Sequence, residues 1–264
     1  MSFNLQSQEG TNAVAQFFHA MQRLFERVAK KQDTKEWSES EWRDFDKKVR
    51  DRILACPDEE SSWSVLARCA RKVLKHYSTS FFIVTRFLPA RKRQAVEIIY
   101  ASVRYPDEIV DTFDLDKDAK TQRLRSWREA YSSALRVGSI RKSIHAGIPV
   151  FAAGFAEVVR RYGIPPEHYH SFLDAMEMDV EPRMFEDIED LIDSYIYGSA
   201  VVVGFFLTHV YGARSGVHHQ LACCLCRFRR CRVRLTLRLV SARWFFRIRL
   251  DLAEKSILCP GLLG

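Results

Sequence analysis

With 264 residues, 47% of them apolar and 28% charged, the chain has globular composition and enough length for one large or two small domains. Only 11 Gly and 8 Pro are spread along it, which argues against a fold of many short strands. No apolar run reaches the roughly 18 residues of a membrane span, and residues 1–15 lack the basic-then-apolar pattern of a secretory leader, so a cytoplasmic protein without a transmembrane helix is expected. The formal charge of +8 is misleading as an average. Residues 215–264 hold nine Arg and one Lys against Asp251 and Glu254, whereas residues 1–214 balance at 31 basic and 31 acidic side chains. Cysteine is skewed the same way: Cys223, Cys224, Cys226, Cys231 and Cys259 lie in the tail, Cys56 and Cys69 elsewhere. A boundary near Gly212 thus separates a neutral domain, 1–214, from a basic tail, 215–264.

In chain order, Phe17, Phe18, Met21, Leu24, Phe25 and Val28 recur at three- and four-residue spacing over 11–31, the period of an amphipathic helix. A second helix is predicted over 38–55, where Ser38 and Glu41 have capping-box spacing, and a third over 62–75. Residues 90–112 read as a long fourth helix, with Val96, Ile99, Tyr100 and Val103 on one face and Pro89 suited to its first turn. Pro106 inside this run predicts a kink or a break. Helices follow at 117–137, 150–162, 167–180 and 187–211. In the last of these, Gly198, Ser199, Ala200 and Gly204 leave room for another backbone or a ligand. The acidic residues 186–193 open that helix, where negative charge complements the dipole. No period-2 strand precedes residue 215, so the fold class is all-α, a helical bundle with short connections. Residues 232–239 and 247–250 alternate polar and apolar, a strand-like pattern at odds with the helical domain.

The stretch Arg104-Tyr-Pro-Asp-Glu-Ile-Val-Asp111 carries the chemistry. Side chains four apart share a helix face, about 5–6 Å apart at the β-carbons, so Asp107 and Asp111 repel each other unless they are solvated or share a cation. Mg²⁺ takes one or two carboxylates plus phosphate oxygens and water, which makes a helix-borne Mg²⁺–diphosphate site one of the two readings. Asp174 and Asp179, five apart, share a face poorly and read as structural. Cys223 and Cys226 have zinc-like spacing with His218 and His219 nearby, but no second pair follows, and reduced thiols are expected.

Four blocks in order resemble the squalene/phytoene synthase family of head-to-head prenyl diphosphate synthases. They are Tyr77-Ser-Thr-Ser-Phe81 with Arg86-Phe-Leu-Pro89, Tyr100-Ala-Ser-Val-Arg104-Tyr-Pro-Asp107-Glu-Ile-Val-Asp111, Asp174-Ala-Met-Glu-Met-Asp179, and Tyr195-Ile-Tyr-Gly-Ser-Ala-Val-Val-Val203-Gly204. The resemblance covers about residues 70–212 and implies an isoprenoid-synthase bundle around an apolar cavity. It implies a prenyltransferase that condenses two isoprenoid diphosphates, farnesyl or geranylgeranyl, with loss of diphosphate; the DExVD form leans towards phytoene-type members. By the same resemblance Asp107, Glu108 and Asp111 would hold Mg²⁺, with Mn²⁺ as a substitute, and NADPH would be needed only for a squalene-type reaction. Arg104 would contact diphosphate, Ser78 and Phe81 would sit at the cavity entrance, Tyr100 and Tyr195 would line the reacting centre, and Val203 and Gly204 would shape the lipid channel. Peripheral membrane contact fits a lipid substrate and a basic tail; nucleic acid is not expected as a partner. The family's second aspartate motif, roughly QxxNxxRDxxxD, has no counterpart in residues 215–264, which contain no Asn. The bundle is therefore expected to be incomplete at its C-terminal side, and the tail has the composition of an out-of-frame extension. The alternative function is a non-catalytic relative, a pseudoenzyme or assembly factor binding isoprenoid or a protein partner.

Overall fold

A computed structural model describes residues 36–181 and 190–212 of the protein. The expected helix at 11–31, the acidic residues 186–189, the strand-like runs and the Cys223/Cys226 pair lie outside the described residues.

Helix α1 (Glu39–Leu54) starts where the capping box predicts: the Glu41 amide donates to Ser38 Oγ at 3.3 Å, and the Ser38 amide donates to Glu41 Oε2 at 2.7 Å. Asp58 caps α2 (Glu59–Tyr77), accepting from the Ser61 amide at 2.7 Å. A short helix, α3 (Thr79–Thr85), follows at once and was not foreseen, being too brief for a periodic signal. Then come α4 (Ala90–Asp111), α5 (Lys117–Val137), the short α6 (Ile140–His145), α7 (Val150–Tyr162) and α8 (Glu167–Val180). Gly138, Gly163 and Gly212 end their helices in the left-handed conformation, with φ of 65°, 61° and 73°. Among the described residues there is no strand, and the fold is all-α.

The core is built around α7. Every residue from Val150 to Val159 is buried, as expected of a helix that is apolar all round. It packs against α2, α4, α5 and α6, while α4 packs in turn against α2, α8 and the last helix. Two features of α4 matter for the site, and the first excludes the break that Pro106 allows. The helix continues through Pro106 to Asp111 without a break, and its middle buries a charged residue, Glu97, among Ala95, Val96, Ile98 and Ile99.

The segment expected as one helix over 187–211 has two parts where it is described. Leu191–Val201 is π-helical, and α9 (Val202–Tyr211) continues it as an ordinary helix. The stretch Ser194–Tyr211 is long and apolar enough to cross a membrane by length and composition, although no uninterrupted apolar run gave that signal. Only a third of it is buried, so the described residues leave much of an apolar wall open. Its close approach to α8 is made at Gly198, where an added β-carbon would sit 2.4 Å from the Ser171 carbonyl oxygen and 2.9 Å from Ala175 Cβ. A backbone oxygen cannot yield as a side-chain tip can. Gly198→Ala is expected to destabilise the protein by about 1–3 kcal/mol despite its better helix propensity. Urea unfolding of this variant beside Gly154→Ala, whose nearest obstacle is the end of the Leu66 side chain, checks this. Equal or smaller loss at Gly198 would contradict it.

Candidate functional site

The C-terminal half of α4 holds a buried charge cluster. Arg104 is 8% exposed and lies one helical turn before Asp107 (5%) and Glu108 (0%). Its guanidinium forms close ion pairs with both carboxylates. It also lies over the Tyr77 ring, 4.5 Å from the centroid. The Tyr77 hydroxyl accepts from Trp42 Nε1 at 3.0 Å and from the Trp37 amide at 3.2 Å, so α1 and the segment before it hold the ring in place. The Thr112 hydroxyl, just past the helix end, donates to Glu36 Oε2 at 3.1 Å. Asp111 stands on the exposed side.

Burial sets the electrostatics. Desolvation pushes the Glu108 carboxyl up to about 7, with Asp107 and Glu36 adding to the rise and Arg104 opposing it. Arg104 reaches Glu108 as an ion pair, and the Thr112 side chain also works to lower the Glu108 pKa. Burial works against the Arg104 charge as well, but Asp107, Tyr100, Glu108 and Tyr77 together hold its pKa above the ordinary arginine value. The Tyr77 hydroxyl is pushed well above the usual phenol range, first by burial and then by Glu108.

The other residues expected at the site fall into two groups. Ser78 is buried and caps α3, its Oγ accepting from the Phe81 amide at 3.4 Å. Phe81 and Tyr100 are half-buried and meet ring to ring at 5.8 Å, so these residues and the Arg104 cluster gather along α4. Helix α3 is fastened to α4 through Glu97, which pairs with Arg86 and accepts from Arg71 Nε at 3.0 Å. Tyr195 is in the π-helical segment, and its hydroxyl donates to Asp179 Oδ2 of α8 at 3.1 Å. Val203 and Gly204 are half-buried on α9.

Asp107 and Asp111 offer the hard oxygen donors that Mg²⁺ prefers, on one face of one helix. Among the described residues no three His, Cys, Asp or Glu side chains come together as a metal-binding group, so these residues fit at most two protein ligands of an ion completed by phosphate and water. Glu108 is enclosed against Arg104, away from solvent. Sequence reasoning missed Tyr77 and Asp179 as site residues. Both stood inside the motif blocks, but the crossing of α2 on α4 gives Tyr77 its guanidinium and a residue 16 positions later gives Asp179 its partner. An open cleft of about 520 Å³ between α1 and α2, lined by Phe45, Lys48, Val49, Asp51, Arg52, Cys69 and Lys72, contains none of these residues.

A squalene/phytoene synthase family profile matches residues 74–229, and the chain belongs to that family. The match runs past residue 212, into the region that composition sets apart. A presqualene diphosphate synthase of Zymomonas mobilis is 31% identical over 147 residues, covering 55% of this chain and 47% of the relative. A second presqualene diphosphate synthase, from Rhodopseudomonas palustris, is 27% identical over 134 residues, 51% of this chain and 44% of the relative. A 15-cis-phytoene synthase of Pantoea ananas is 27% identical over 150 residues, 55% of this chain and 47% of the relative. The chain spans about half the length of these relatives.

Two outcomes follow from the charge cluster. Arg104→Ala leaves two buried carboxylates without their cation and is expected to cost about 3–5 kcal/mol, read by urea unfolding. In metal-free protein, folded Glu108 keeps its proton up to about 7, whereas the unfolded carboxyl loses it near 4.5. The folded state therefore binds more protons across that window, and stability falls as pH rises through it. Melting curves from pH 4.5 to 7.5 should show a flatter dependence in Glu108→Gln; an unchanged slope would count against the buried carboxyl.

Proposed function

We propose that the protein belongs to the catalytic side of its family and joins two isoprenoid diphosphates, farnesyl or geranylgeranyl, head to head with loss of diphosphate. The product would be of the presqualene diphosphate or phytoene type. The observation that carries this reading is the arrangement on α4: Arg104 buried against Asp107 and Glu108, with Asp111 exposed one turn on. Asp107 and Asp111 would hold Mg²⁺, which supplies charge neutralisation for a departing diphosphate. With the Asp107 charge taken up by the cation and Glu108 protonated, Arg104 would keep positive charge in surplus for the same leaving group. Tyr77 and Glu108 hold the guanidinium in one place, so it need not reorganise as charge develops. Phe81 and Tyr100 present aromatic faces beside this cluster, suited to an allylic cation and to the exclusion of water. Tyr195, held by Asp179, and the half-buried Val203 and Gly204 would line the channel for the hydrocarbon chain.

A second reading has its own support. Among the described residues no group of three metal-ligating side chains forms, and residues 215–264 contain no second aspartate motif. A non-catalytic relative that binds isoprenoid without turnover fits those two facts. Incubation with farnesyl or geranylgeranyl diphosphate and Mg²⁺ separates the readings. The catalytic one expects Mg²⁺-dependent diphosphate release that falls about 10²-fold or more in Asp107→Ala, with folding checked by circular dichroism. Binding of the substrate with no release by the wild-type protein would establish the second reading instead.

A further inference from the structure

Pro106 leaves a gap in the hydrogen bonding of α4. A proline has no N–H, so the carbonyl four residues earlier loses its helical donor, and the ring pushes that carbonyl outward. Here the carbonyl belongs to Ser102, which is fully buried. An orphaned carbonyl at such a position is costly. The Tyr169 hydroxyl, from α8, donates to Ser102 O at 2.7 Å. The same hydroxyl accepts from Trp127 Nε1, on α5, at 2.9 Å. An indole can only donate, so the single tyrosine proton is committed to Ser102. Tyr169 is 0% exposed and Trp127 5%, which leaves water little access to the carbonyl. Ser102 is also fixed by its side chain, whose Oγ lies 2.8 Å from the Ile98 carbonyl and 2.9 Å from that of Phe151 on α7.

We propose that Tyr169, oriented by Trp127, is a positioning residue: its hydroxyl takes the place of the missing Pro106 N–H and sets the direction in which the turn bearing Asp107 and Asp111 leaves the proline. A buried tyrosine could have satisfied its hydroxyl on any nearby acceptor. It meets the one carbonyl of α4 that the proline frees, two residues before Arg104 and five before Asp107. The consequence for chemistry rests on the proposed function; the local role does not.

The test is a cycle of Tyr169→Phe, Pro106→Ala and the double variant. Pro106→Ala returns an N–H to the Ser102 carbonyl, so Tyr169→Phe should then matter less. In the natural background Tyr169→Phe is expected to lower Tm by about 2–10 °C and to speed amide exchange at residues 107–112 roughly fivefold or more. In the Pro106→Ala background both effects should shrink by about half or more. The Trp127 N–H loses its acceptor in both backgrounds and cancels from the comparison. Equal Tm losses in the two backgrounds, or unchanged exchange at 107–112, would overturn the assignment. A Mg²⁺ titration of diphosphate release adds a readout that a merely structural role would not move. Tyr169→Phe should raise the half-saturating Mg²⁺ several-fold, about what a tilted carboxylate pair costs, and the double variant should return it towards wild type. Unaltered Mg²⁺ dependence would overturn the positioning role. If the wild-type protein releases no diphosphate, it is the proposed function that falls, and exchange and melting still decide the role of Tyr169.

Discussion

One guanidinium holds the centre of this structure together. Arg104 enters the bundle interior with two carboxylates, and none of the three could be buried alone at tolerable cost. With both carboxylates ionised the group carries a net negative charge in a poorly solvated place. A protonated Glu108 makes the trio neutral, which is the state burial favours and the reason its carboxyl is pushed up to about 7. The Tyr77 ring closes the remaining face of the guanidinium. Because Trp42 and the Trp37 amide both donate to the Tyr77 oxygen, the charge cluster is coupled to α1 and to the segment that leads into it. Under the proposed function, a cation arriving at Asp107 would change this balance directly, which would couple ligand binding to core electrostatics.

Helix α4 acts as the spine on which these charges are hung, and its two halves solve different problems. The first half carries Glu97, fully buried and shared between Arg71 and Arg86. That arrangement ties α2 and α3 to the spine and fixes Ser78 and Phe81 relative to Tyr100. The second half contains the proline and the site. A helix that must present charged groups at a set angle after a proline needs its neighbours to define that angle, and α7 and α8 both reach Ser102, just before the break in hydrogen bonding.

Much of this was legible in the sequence. The capping box at Ser38, the helices over 117–137 and 150–162 and the all-α class follow from spacing and from Gly and Pro placement. The same holds for the sharing of one helix face by Asp107 and Asp111. What could not be read were facts of crossing. Pro106 predicts a kink or break in α4; the helix is unbroken, and the Tyr169 hydroxyl that meets the Ser102 carbonyl comes from a crossing helix that spacing does not reveal. Helices of six or seven residues, such as α6 and α3, are too short to show a period. Asp179 reads as structural from its spacing to Asp174, and its hydrogen-bond partner, Tyr195, lies 16 residues further on, where spacing within the motif cannot show it. A π-helical stretch has no signature in hydrophobic spacing, so Leu191–Val201 read as an ordinary helix.

That π-helical stretch is seated on α8 by a close approach at Gly198 and a hydrogen bond from Tyr195. Gly198 touches Ser171 and Ala175, and Tyr195, three residues earlier, reaches Asp179 further along α8. The two contacts run in opposite senses along the two segments, which is an antiparallel crossing with Gly198 as its point of closest approach. A side chain there would lift the whole segment, and the Tyr195–Asp179 bond, at 3.1 Å, has little length to spare. Gly198 therefore does more than permit packing. It sets the depth at which Tyr195 meets Asp179 on α8, the helix whose other end carries Tyr169.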